Sequence, residues 1–244
     1  KSLAAAFNST FYQLDQLKTM TLSRTQDAID GVNLLTQELA SVNNRILSSG
    51  QSGKSPNSFL DLRDRLVQDI SALADVSVSY TDRGVANLTV GMSGVGPSLV
   101  DGTSRTQMGF TERHDRIGGL QILLNPSSSK TPTSQLSSGM IAGLSEAYAA
   151  IDSVVRQTNQ LAMQITTDLN DQHHRGVTID GLRGLDMFSS VSVIAEKNAS
   201  NPAGVEAEII VTDPTKLPQT AMTVSYNQAE DVWELTGPSM LNPI

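Results

Sequence analysis

The residues best equipped for chemistry in this 244-residue chain stand together at one point: Asp168, Asp171, His173 and His174. Imidazoles beside carboxylates are the material of metal sites and of proton transfer. The spacing speaks against both here. Adjacent histidines leave a helix toward different faces, and no two histidines stand four apart in the zinc-binding pattern. The third histidine, His114, lies beside Asp115 and Arg116 and reads as a polar turn. No G-x-S-x-G elbow lifts a serine, and carboxylates pair up only as charges on helix surfaces. The glycines of 91–98 are followed by neither a Lys-Ser/Thr pair nor a helix start, so they are no phosphate cradle. The expectation is therefore no catalytic residue, no metal and no cofactor. A second charged cluster, Asp61, Arg63, Asp64 and Arg65, reads as ion pairing along a helix, since Asp61–Arg65 and Arg65–Asp69 are each four apart.

Bulk properties narrow the class further. A formal charge of −8 argues against nucleic acid as a partner, which calls for a basic face. With no cysteine there is neither a disulfide nor thiolate chemistry. No stretch approaches the roughly 18–20 apolar residues of a membrane span, so no membrane partner is expected. Aromatics make up only 4% of the chain, so a core must be built from Leu, Ile, Val, Ala and Met. Lys1 opens directly into helical pattern without a secretory signal, and the chain stops just after a strand-like run, so it reads as an excised fragment.

The elements that must carry these residues are long helices. Leu22, Ile29, Val32, Leu35, Leu39, Val42 and Ile46 come to step by three and four, with no proline between them. About 45 helical residues at about 1.5 Å each make a rod of roughly 65–70 Å. Gly31 marks a place where it could bend. Such a stripe needs partner helices along its length, as in a bundle or coiled-coil shaft. Asn33 and Asn43 read as solvent-facing or register-setting. Residues 48–55 form a small-residue loop, and Pro56 restricts the approach to a short helix where Ser58 and Asp61 make a capping pair. Its stripe is Leu60, Val67, Ile70 and Ala74. Val76, Val78 and Tyr80, then Ala86, Leu88 and Val90, alternate as a β-hairpin about the turn at 81–84. Further strand follows over 107–124, broken at 112–116, then a Ser/Thr/Pro/Lys linker over 126–138. A second helical seam runs Ile141, Leu144, Tyr148, Ile151, Val155, Thr158, Ala162, Ile165 and Leu169, with the first long helix its natural partner. Past Phe188 the pattern turns to strands near 191–195, 205–211, 222–226 and 232–235, where Trp233 is expected to anchor a small β-core.

Several of these stretches resemble one family in one order. Asn57-Ser58-Phe59-Leu60-Asp61-Leu62-Arg63-Asp64 is similar to the N-x-L-L-D-x-R-D signature of the flagellar hook-associated protein 1 family. Val32-Asn33, Leu39-Ala40, Val42-Asn43 and Ile46 resemble its I-N…I-A-x-L-N-x-x-I run, and Leu99-Val100-Asp101-Gly102 its L-V-x-G. Ser138 to Leu144, with Gly143 and Leu144, resembles S-G-x-L-x-G-L. Leu161-Ala162…Leu169-Asn170…His173…Gly176 resembles L-A…F-N-x-x-H-x-x-G. Gly181, Gly184 and Asp186-Met187-Phe188 are similar to the glycine-punctuated exit that ends in D-F-F. The chain departs at Ser145, at Tyr148 near a usual Arg, and at Thr178 and Met187 in place of Asp and Phe.

The resemblance implies an α+β fold: a long-helix bundle or coiled-coil shaft over 1–188, with an inserted β-hairpin region at about 76–124. An outer, mostly antiparallel β-domain over 189–244, truncated here, completes it. It implies a structural role joining hook to filament, by packing in a junction ring. The implied partners are other copies of itself, the hook protein and the second hook–filament junction protein. The implied location is the extracellular flagellum, reached by the flagellar type III pathway without a cleaved signal peptide. The fragment itself, without terminal helices and rich in acid, is expected to be monomeric. The alternative is a helical ligand-binding or adhesin ectodomain without catalysis.

Overall fold

The computed structural model describes residues 2–51, 57–91, 93–112, 119–126, 131–132, 136–189, 192–193, 209–210, 222–227 and 230–236. The fold is α+β: three helices and small antiparallel sheets among the described residues. Helix α1 runs Ser2–Gln51, α2 Asn57–Leu73 and α3 Gly139–Arg175. The chain packs as two compact units, Tyr12–Ser153 on one side of the division and Lys1–Phe11 with Val154–Ile244 on the other.

The unit Tyr12–Ser153 holds the core. With no proline to remove a backbone donor, α1 continues for 50 residues, about 75 Å at about 1.5 Å per residue. It passes through 48–51, which the sequence suggested as loop; serine and glycine are tolerated at a helix end already supported by packing. Nor does Gly31 break it. A side chain there would stand 3.2 Å from Leu73 Cδ1, so the glycine lets α2 approach closely. Ile29, Val32, Leu39, Val42 and Ile46 are all buried, while Leu22 is half-buried. Leu66, Val67 and Ile70 of α2 meet them. Each such side chain contributes about 1.5–3 kcal/mol on full burial.

Strands β1 (Val76–Tyr80), β2 (Ala86–Val90), β3 (Ser98–Asp101) and β4 (Ser104–Arg105) form one sheet in that order. The β1–β2 hairpin pairs Val76 with Val90 and Tyr80 with Ala86. The alternation read in β2 is the alternation of burial: Ala86, Leu88 and Val90 face the core. Strands β5 (Met108–Glu112), β6 (Leu120–Leu124) and β7 (Thr131–Pro132) form a second sheet. Part of the expected linker is thus strand, because β6 offers a free edge on which 131–132 can pair. The supposed turn at His114 lies outside the described residues.

Entry into α3 is set by Asp75. Its buried carboxylate accepts hydrogen bonds from the Ser137 amide and hydroxyl. Gly139 follows at φ +85°, where a Cβ would sit 3.0 Å from the Leu73 carbonyl oxygen. Ile141 and Tyr148 are buried, but along the rest of the seam Ile151, Val155 and Ile165 are half-buried and Leu169 is exposed. Heptad spacing lines apolar side chains up; covering them requires a second surface, which the described residues supply most fully at the first turns.

In the other unit, β8 (Ser192–Val193) pairs with β9 (Ile209–Ile210), and β10 (Thr223–Asn227) with β11 (Val232–Thr236). Trp233 does not anchor a core. It is 58% exposed and leans on its cross-strand partner Tyr226, with ring centroids 5.2 Å apart. A two-stranded ribbon cannot enclose an indole without a second layer.

Candidate functional site

Three asparagines on the long helices share one piece of geometry. Asn33 donates from Nδ2 to the Met108 carbonyl at 2.9 Å and accepts the Met108 N–H on Oδ1 at 2.8 Å. Asn43 does the same with Ala86, at 2.8 and 3.1 Å, and also donates to the Gly102 carbonyl at 2.7 Å. In both cases the side-chain amide copies the donor and acceptor of a neighbouring strand, holding the first residue of β5 or of β2 against α1. Asn43 is fully buried and Asn33 half-buried, so the solvent-facing alternative is corrected and the register-setting one stands. Asn170 repeats the device near the end of α3. Its Oδ1 accepts the N–H groups of Met187 and Phe188 at 2.9 and 3.0 Å, and its Nδ2 donates to the Phe188 carbonyl at 2.8 Å.

Around Asn170 the second half of the motif residues comes together. His173 places Nδ1 against the Leu185 carbonyl, which requires a proton on that nitrogen. His174 Nε2 lies 2.8 Å from Asp186. His173, His174 and Arg175 fill the last turn of α3, where cations suit the helix dipole. Gly176 donates to the His173 carbonyl at 3.0 Å. Gly181 sits at φ +78° in a turn closed by its own N–H on Thr178. Gly184 has no room for a side chain: a Cβ would be 2.2 Å from the His173 carbonyl oxygen. Phe188 ends the loop partly exposed. His173 thus serves the backbone of its own loop, and His174 the carboxylate of Asp186 in the same loop. Among the described residues no group of three His, Asp or Glu side chains is placed to hold a metal ion.

The first half of the motif works in the other unit, on the β1–β2 turn. Arg63 is the centre: it donates to the Gly84 carbonyl, pairs with Asp64 at 2.7 Å, and lies over the Tyr80 ring at 4.6 Å. Leu60 fills the space beside Gly84, where a Cβ would be 3.1 Å from its Cδ2 at φ +80°. The expected Asp61–Arg65 and Arg65–Asp69 pairs are not formed among the described residues. Asp61 is exposed, and the ion pair that forms joins neighbours instead, because Arg63 is already held at the turn and Asp64 lies within reach. Asn57 begins α2. Gly143 faces open space, and Leu144 is half-buried against the core.

One cluster escaped the sequence reading. Lys18 of α1 reaches Glu112 of β5 at 3.6 Å and Asp152 of α3 at 3.8 Å, with its ammonium 5.1 Å from the centre of the Tyr148 ring. The Tyr148 hydroxyl donates to Glu112. Burial lowers the Lys18 pKa, but its hydrogen bond and attraction to Tyr148, with Asp152 and Glu112, outweigh that and leave it raised. Burial and the bond to Glu112 raise the Tyr148 phenol against the opposing pull of Lys18. Partners 36 and 94 positions apart in sequence carry no local signal; only Tyr148, near where the family resemblance has an Arg, marked a departure here.

Comparison with known proteins fits this geometry. Residues 1–188 match the family model described as "Flagellar hook-associated protein FlgK helical domain". Flagellar hook-associated protein 1 of Escherichia coli K12 is 27% identical over 231 residues, covering 92% of this chain and 41% of that protein. The Salmonella typhimurium protein of the same name is 27% identical over 243 residues, and that of Bacillus subtilis 23% over 211. The chain spans about two-fifths of the length of these relatives, with 41% covered in each. A solved structure of the flagellar hook junction protein FlgK from Burkholderia pseudomallei superposes with a TM-score of 0.73 at 24% identity, covering 99% of this chain and 44% of that one.

Proposed function

Because the chain belongs to the family of the flagellar hook-associated protein FlgK helical domain, we propose that it is a structural part of the junction between flagellar hook and filament, working by packing and not by catalysis. The observation that carries this reading is what the motif residues do. Asn170, His173 and Gly184 hold their own loop, and Arg63 holds the β1–β2 turn. Such residues fix a shape, which is what an assembly component needs. The copies form a ring that meets the hook protein below and the second junction protein above. The place of action is the extracellular flagellum, reached by the flagellar export pathway without a cleaved signal. Residues 1–188 act as the shaft domain and 189–244 as part of an outer β-domain. The 244-residue chain alone, with 25 acidic against 17 basic residues, is expected to sediment as a monomer.

The test uses the full-length protein in flagellated cells. Asn170→Ala combined with His173→Ala releases the loop, and electron microscopy is expected to show hooks without filaments, with filament subunits lost to the medium. Normal filaments on that variant would overturn the junction reading and favour a ligand-binding ectodomain.

A further inference from the structure

Tyr148 is the last buried side chain on α3 before Asn170, and the groups that hold it down are charged. Its hydroxyl donates to Glu112 of β5, and the Lys18 ammonium of α1 lies 5.1 Å from the centre of its ring. Lys18 also reaches Glu112 at 3.6 Å and Asp152, one turn further along α3, at 3.8 Å. One ammonium therefore ties three elements of the unit Tyr12–Ser153 at a single point. The first turns of α3 are held differently: Ile141 belongs to the apolar core, and Leu144 packs against it.

The two kinds of contact answer differently to the solvent. Apolar side chains that part expose surface to water with nothing gained in return. The Lys18, Glu112 and Asp152 side chains already keep 32%, 35% and 21% of their surface in water, so they hydrate again as they separate. Their attraction is also open to screening, which cuts the reach of a charge from about 30 Å at 0.01 M salt to about 3 Å at 1 M. The Tyr148 residue beneath them is only 3% exposed and enters water when they part. We propose that Lys18, Glu112 and Asp152 form a salt-sensitive latch over Tyr148. At low ionic strength the ammonium clamps α3 onto α1 and β5; rising salt frees the stretch around Tyr148, while the core at Ile141 stays closed. The latch stands where full burial along α3 gives way to half-burial, so it is a releasable tie and not part of the core. It does not depend on the junction reading above.

The tyrosines themselves provide the test. Tyr12, Tyr80 and Tyr226 are 66%, 54% and 48% exposed, so tetranitromethane reaches them in the folded protein, whereas Tyr148 reacts only when the latch opens. Nitration of the purified full-length protein at one mildly alkaline pH is followed residue by residue through peptide masses, at about 10 mM and about 1 M potassium chloride. The rate at Tyr148 relative to Tyr12 is expected to rise about fivefold with salt. Lys18→Met keeps a side chain of similar length without its charge. It should show the higher rate already at low salt, with no further response. Asp152→Asn removes one of the two carboxylates and should cut the salt response to about twofold, which keeps the test valid if Lys18→Met does not fold. Circular dichroism identifies the folded variants. A Tyr148 rate indifferent to salt, or a salt response undiminished in either folded variant, would overturn the latch. A rise at Tyr148 that comes with loss of helical circular dichroism would overturn it too, since the whole unit would then be opening.

Discussion

Replacing Asn43 by Ala tests the idea that helix asparagines hold the strands of this fold. Asn43 is 0% exposed and makes three hydrogen bonds, to Ala86 N–H, Ala86 C=O and Gly102 C=O. Each such bond contributes about 0.5–1.5 kcal/mol net, and a buried group left without a partner costs about 1–3 kcal/mol. Ala86 is itself fully buried, so water cannot easily replace the amide there. Together these give a loss of about 3–4 kcal/mol, or a fall of roughly 10 °C in melting temperature for a unit of this size. Asn44→Ala, one residue on and exposed, should lie within about 0.5 kcal/mol of the parent. Asn43→Asp adds a check of mechanism. It removes both donors and sets a buried carboxylate against two carbonyl oxygens, which favours its protonated form. An acid whose folded pKa is raised binds more protons folded than unfolded, so stability falls as pH rises above the ordinary carboxylate range. Thermal and urea melts of the three variants, with Asn43→Asp measured from pH 4 to 8, decide the matter. An Asn43→Ala melt within about 1 kcal/mol of the parent would refute the reasoning.

Other expectations follow from the same geometry. Arg63→Ala should cost about 1–3 kcal/mol by freeing the β1–β2 turn, with Arg63→Lys recovering little of it, while exposed Asp61→Ala should be near neutral in the same melts. Gly184→Ala forces a methyl group into the His173 carbonyl and should loosen 176–188 without unfolding the other unit, read as faster amide exchange confined to that loop. The Lys18 contribution is complete below the ordinary lysine value of 10.5 and is lost as pH rises through its raised folded value. The raised Tyr148 phenol acts in the same direction, since the unfolded chain ionises first above 10.0. Melting temperature should therefore fall above about pH 10, and Tyr148→Phe should flatten that fall.

The parts of this protein legible in its sequence are those set by local repetition. Apolar side chains at helical spacing, with no proline in the run, marked α1 and α3, and alternation marked the β1–β2 hairpin, because helix and strand periods are properties of the backbone alone. Turn glycines and the family motifs were legible for the same reason: each is a short stretch. What the sequence could not assign was the partner of each polar group. Asn33 and Asn43 look alike on paper whether they meet water or a strand; packing β2 and β5 against α1 turned them into bonded supports. Asp61 and Arg65 stand four apart as an ion pair should, yet Arg63 was drawn to Gly84 and Asp64 instead. Trp233 looked like a core residue and lies open, because burial is a property of the second surface and not of the side chain. Lys18, Glu112 and Tyr148 meet across three elements distant in sequence. Hydrogen bonds and charges act over a few ångströms, so their partners are decided only when the tertiary fold brings distant segments within that range.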